Sequence, residues 1–91
     1  MADQATIATD ILVRYAADAA REVEGVRALA GRRGVRISGK GAARIELHVV
    51  AERGISLPAL GRGVQARVRE YLSNMADIEP ATVDVVVDAI E

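Results

Sequence analysis

Arg44-Ile-Glu-Leu-His-Val-Val-Ala-Glu52 is the stretch around which this chain is organised. Ile45, Leu47, Val49 and Ala51 alternate with Glu46, His48, Val50 and Glu52. Alternation with a period of two places one set on each face of a β-strand. The β-branched Ile45, Val49 and Val50 suit a pleated surface better than a helix. The pattern predicts a central strand over 44–52, with the rest of the chain covering it or pairing with it.

On the N-terminal side, Val35-Arg36-Ile37-Ser38 alternates in the same way. The glycines of Gly39-Lys40-Gly41-Ala42-Ala43 can turn the chain, so 35–38 and 44–52 are expected as an antiparallel hairpin. Val26–Ala30 reads as a briefly extended lead-in, and Gly31-Arg32-Arg33-Gly34 as a loop. Further back, Ile11, Leu12, Tyr15, Ala16, Ala19, Ala20 and Val23 recur at spacings of three and four. They predict a helix from about Thr9 to Val23, capped by Thr9 or Asp10 and stopped by Gly25 in a left-handed conformation. Ala2–Ala8 carries no commitment.

On the C-terminal side, Ser56-Leu57-Pro58 opens a second helix, because proline costs no hydrogen bond in the first turn. Its expected buried stripe is Leu60, Val64, Val68, Tyr71, Leu72 and Met75. Asn74–Pro80 reads as a loop. Ala81–Ile90 is the last strand, with Val83, Val85, Val87 and Ala89 on one face and Asp84, Val86, Asp88 and Ile90 on the other. A strand–helix–strand connection makes this strand parallel to one hairpin strand. The expected fold is a two-layer α+β domain over residues 1–91, in the order α-β-β-α-β, with two helices packed on one face of a small mixed sheet.

Composition narrows the chemistry. The chain has 91 residues, no Cys, no Trp, no Phe, and only Tyr15 and Tyr71 as aromatics. Thiol catalysis, disulfides and thiolate metal sites are excluded, and no aromatic platform exists for stacking bases. Met1–Asp10 lacks the pattern of a signal peptide, and no apolar run reaches the ~20 residues that span a bilayer. A cytoplasmic location is expected, with no direct membrane insertion and any membrane association made through a partner. Net charge is only −1, yet residues 27–69 hold ten basic against two acidic residues. Residues 70–91 hold six acidic and no basic ones. Segregation of this kind serves pairing within the fold, head-to-tail self-association or an anionic partner.

Three stretches, in order, resemble the alkaline shock protein family of bacterial general-stress and cell-envelope stress proteins. The first is Ile7, Asp10-Ile11-Leu12, Ala16 and Glu22-Val23-Glu24-Gly25-Val26. The second runs from Ile45-Glu46-Leu47-His48-Val49-Val50 through Gly54-Ile55-Ser56-Leu57-Pro58 to Val64-Gln65 and Val68. The third is Val83-Asp84-Val85-Val86-Val87. Family members usually carry Ser or Asn with Pro or Asp where this chain has Ala8-Thr9-Asp10. Many also have a charged C-terminal extension, and functions that rest in such a tail are not expected of these residues. The resemblance implies no catalytic residues and no cofactor. It implies self-association and, for some members, a membrane-anchored relative as partner.

Other motifs weaken on inspection. Gly34-Val-Arg-Ile-Ser-Gly39-Lys40-Gly41 approaches a phosphate-binding loop, but Gly41 stands where Ser or Thr should hold Mg²⁺, and a strand follows where a helix should. Gly31-Arg32-Arg33-Gly34 resembles the loop by which KH domains clamp phosphates, but that loop joins two helices and this one precedes a strand. His48 is the only His and has no nucleophile or second ligand in pattern, so neither a catalytic nor a metal site is assembled. The expected role is therefore a non-enzymatic protein-interaction or self-assembly module. Its candidate interface is His48, Val50, Asp84, Val86 and Asp88 on the uncovered sheet face. Arg32, Arg33, Arg36 and Lys40 are the candidate contacts for an anion or partner. The rival reading is a nucleic-acid-binding domain using the basic loop and hairpin around 31–44, which the missing aromatics disfavour.

Overall fold

A computed structural model describes residues 2–31, 34–38 and 43–91, with residues 2–8 described by their backbone alone. The elements are α1 (Ala2–Arg21), β1 (Val26–Leu29), β2 (Val35–Ser38), β3 (Arg44–Ala51), α2 (Leu57–Ala76) and β4 (Thr82–Ile90). β3 pairs antiparallel with β1 and β2 and parallel with β4. The sheet is mixed and lies beneath two helices, as the alternation and the helical stripes require.

The order is α-β-β-β-α-β rather than α-β-β-α-β. The additional strand is β1, which a four-residue span with little alternation disguised as a lead-in. Register explains how it fits. β1 pairs with Val49–Ala51 of β3 and β2 with Arg44–Leu47, whereas β4 pairs along the whole of Arg44–Ala51. A strand has two edges, so β4 holds one while β1 and β2 share the other, end to end. Between them the Ala30 N–H donates to the His48 carbonyl at 2.8 Å, and the His48 N–H donates to the Gly34 carbonyl at 2.7 Å. The chain therefore leaves the ladder after Ala30 and rejoins it at Gly34, opposite His48.

β3 carries the core. Ile45, Leu47, Val49 and Ala51 are at most 1% exposed. Leu60, Val64, Val68 and Leu72 of α2 pack on them, and α1 adds Ala16, Ala19 and Ala20. Alanine at these α1 positions lets the helix axis approach closely, which a core without Phe or Trp needs to stay dense. Two expected stripe residues lie outside this core: Ile11 is 42% and Met75 52% exposed. Both sit at the margin of their helical face, and periodicity alone does not place a margin. Helix α1 begins at Ala2, so Thr9 and Asp10 lie inside it rather than capping it.

Local chemistry fixes the connections. The Ser56 hydroxyl accepts from the Ala59 N–H and Pro58 sits in the first turn of α2, as anticipated. Asp77 closes α2 in a left-handed conformation at φ 55°. Gly25 has φ +99°, so the turn from α1 to β1 favours glycine, and a Cβ there would also press on the tip of the Ile55 side chain. Arg67 of α2 pairs with Glu22 and with Glu70, fastening the helix pair at its surface.

Candidate functional site: the helix-free face of the sheet

The residues of β3 that alternate with the core point away from both helices. Glu46, His48 and Val50 are half-buried, flanked by the neighbouring strands and covered by neither helix. Parallel register sets Glu46 opposite Asp84 and His48 opposite Val86. Antiparallel register sets Glu46 opposite Arg36, and Val50 opposite Ala28. One row across the sheet therefore reads Arg36, Glu46, Asp84, and charge changes sign from the β2 side to the β4 side.

His48 is the centre of the face. Its Nε2 lies 2.6 Å from Glu46 Oε2 and its Nδ1 2.8 Å from Asp88 Oδ1. Glu46 first and Asp88 second raise the imidazole pKa above its ordinary 6.5, because both carboxylates stabilise the charged ring. A protonated ring donates to both carboxylates. A neutral ring keeps one N–H and faces the other carboxylate with a lone pair. The cluster thus bridges β3 to β4 most strongly when the ring is charged.

The structure brings together most of the face read from sequence. His48, Asp84, Val86 and Asp88 share it, with Val86 40% exposed. Asp88, rather than Asp84, is the second partner of His48. Val50 is adjacent but beside the small Ala28, and a register irregularity between Val49 and Val50 sets Ile90 opposite Ala51 rather than in the Val50 row. Arg36 is exposed on β2, while Arg32, Arg33 and Lys40 lie outside the described residues. That Arg36 shares a face and a row with Glu46 was not drawn from sequence, although an in-register hairpin already carries that information.

The open face offers a surface and not a deep cleft. A depression of about 320 Å³ is lined by Arg36, Arg44, Glu46 and Asp84 with the ends of β2 and β3, and His48 is not in its lining. A larger groove of about 530 Å³ runs between α1 and the β1–β2 edge, among Val13, Arg14, Arg21, Arg27, Leu29 and Val35. Among the described residues no group of three His, Asp or Glu is placed to hold a metal ion. Nor is any helix among them long and apolar enough to cross a membrane.

Comparison with known proteins adds family and fold. Residues 30–91 match the ASP23 family, described as having a cell envelope-related function. No curated protein matches the sequence. Among solved structures, a histidine-to-alanine variant of the MamM CTD is similar with a TM-score of 0.62 and 14% identity, over 90% of this chain and 98% of that one. A glutamate-to-histidine variant of the MamM CTD, described as a nickel form, matches at the same score and identity over 90% of this chain and 99% of that one. At such identity the likeness is one of fold.

Proposed function

The chain belongs to the alkaline shock protein (ASP23) family, and from that premise we propose that it is a non-enzymatic interaction module of the cell-envelope and general stress response. It acts by self-association and by binding a protein partner, including one anchored in the membrane. It works from the cytoplasm and reaches the membrane only through that partner. The observation that carries this reading is the helix-free sheet face, where an exposed valine sits among charges of both signs. Core-forming residues fill the other face, and apolar side chains in a charged setting mark surfaces that meet another molecule.

His48, Val50, Asp84, Val86 and Asp88 form the interface in this reading, with Arg36 and the basic residues Arg32, Arg33 and Lys40 contacting a partner's acidic groups. The test is sedimentation of the purified chain over a concentration series at low and high salt. Association that grows with concentration and falls with salt is expected. A strict monomer throughout, with no partner recovered by the full chain in pull-down, overturns it.

A further inference from the structure

Across the open face, charge is arranged in a way that selects one packing of two copies over the others. Arg36 stands on the β1–β2 side and Asp84 on the β4 side of the same row, with Glu46 between them. Among the described residues, neither Arg36 nor Asp84 belongs to any ion pair, although both are exposed. Glu46, beside both, is hydrogen-bonded to His48, which leaves Arg36 and Asp84 at opposite ends of the row without an ion pair among these residues. A second copy supplies the missing partner if it is turned so that its acidic side covers the first copy's basic side.

Only one kind of symmetry does this. Two sheets stacked face to face by a twofold axis that runs along β3 exchange left for right and keep height along the strand. Arg36 of each copy then lies over Asp84 of the other, twice. A twofold axis across the strands instead sets Arg36 against Arg36 and Asp84 against Asp84. The geometry points to a face-to-face twofold pair of this chain, its axis along β3, held by two reciprocal Arg36–Asp84 contacts. The proposal rests on the self-association reading and gives it a surface, an axis and a stoichiometry.

The other surfaces fit a second copy less well. The outer edge of β4 would pair with another strand, but Gln65 of α2 already donates its side-chain N–H to the Val83 carbonyl at 2.9 Å. Among the described residues the α1 groove has no acidic residue in its lining, and its Arg21 and Arg27 already pair with Asp18 and Glu91, so it offers a second copy no charge pattern to match. The open face is small. Three strands about 4.8 Å apart and eight residues long at about 3.3 Å each cover on the order of 400 Å² per copy. That area falls in the range of weak, transient contacts. With few apolar groups to desolvate, charge decides orientation and makes the pair sensitive to salt.

The central residues of the pair are the two His48 rings, each between Glu46 and Asp88 of its own chain. Glu46 meets Glu46 near the axis, so charged imidazoles beside them offset a repulsion that neutral ones leave standing. Facing His48 from every neighbouring element are Glu46 on β3, Asp84 and Asp88 on β4, and Arg36 on β2 in the adjacent row.

The experiment is a charge exchange read by sedimentation velocity. Wild type is expected to reach a dimer and no further. Arg36→Asp and Asp84→Arg each set like charges together at both contacts and are expected to weaken dimerisation at least tenfold. Their 1:1 mixture is expected to recover as a heterodimer, and the double variant Arg36→Asp/Asp84→Arg is expected to dimerise alone. Thermal melts of both exposed variants serve as the control for folding, with near-wild-type midpoints expected. Assemblies that grow past two, or exchange variants that associate as wild type does, overturn this pair while leaving self-association intact. A wild-type monomer at every concentration overturns both.

Discussion

The two faces of β3 come from the same eight residues and have opposite chemistry. Toward the helices, Ile45, Leu47, Val49 and Ala51 are sealed from water. Away from them, Arg44, Glu46, His48 and Val50 meet Arg36, Asp84, Val86 and Asp88 across the strand ladders, with the apolar groups a minority. Burial at about 25 cal/mol per Å² of apolar surface makes the first face the source of stability. Exposed ion pairs contribute ~0–1 kcal/mol each, so the second face adds little to folding, and in the proposed reading it serves recognition. One strand can thus be held by its odd positions and read by its even ones. A substitution should damage one property or the other, but seldom both.

The largest expected effect lies on the covered face. Leu72→Ala removes a fully buried side chain from the core, so about 2–5 kcal/mol should be lost in urea unfolding. Gly25→Ala comes next. The positive φ and the contact with Ile55 strain any side chain there, and a loss of about 1–3 kcal/mol is expected by the same assay. A loss below about 0.5 kcal/mol for Leu72→Ala would blur the contrast between the faces.

The open face responds to pH instead. The folded pKa of His48 is raised, so the stabilisation it provides is complete below the ordinary value of 6.5 and is lost as pH rises through the raised value. Unfolding midpoints should therefore fall from near neutral toward alkaline pH. His48→Gln should flatten that dependence, and an unchanged slope in the variant would assign it elsewhere. The smallest effect is expected from Asp84→Asn. Asp84 stands opposite Glu46, and like charges in register are mildly destabilising. A gain within about 0.5 kcal/mol is expected, measured by thermal unfolding, whereas a clear loss would give Asp84 a structural role.

Much of the covered face was legible because two periodicities meet there. Period two over 44–52 and the three-to-four spacing of Leu60, Val64, Val68 and Leu72 each predict burial independently, and a core satisfies both. Ser56 and Pro58 announced the start of α2 for reasons internal to the first turn. The open face was legible by composition but not by pairing. Asp88 reaches His48, and Arg36 shares a row with Glu46, through a register that sequence alone does not number. β1 escaped because Val26–Leu29 gains its strand character from β3, through ladder bonds that resume on either side of the excursion at Ala30–Gly34. The resemblance read from Ile45–Val50 and Val83–Val87 matches the family found over residues 30–91; it named the relatives and left the surface to be worked out from register.

A matched pair of exposed residues separates the faces most directly. Val86 on the open face is 40% exposed, and Ile11 on α1 is 42% exposed. Val86→Gln and Ile11→Gln remove comparable apolar surface from opposite sides of the molecule, and sedimentation velocity at matched concentrations reads the consequence. Association through the open face predicts that Val86→Gln sediments mainly as monomer while Ile11→Gln associates as wild type does. The reverse pattern, with Ile11→Gln monomeric and Val86→Gln unchanged, would place recognition on the helical side and contradict the division.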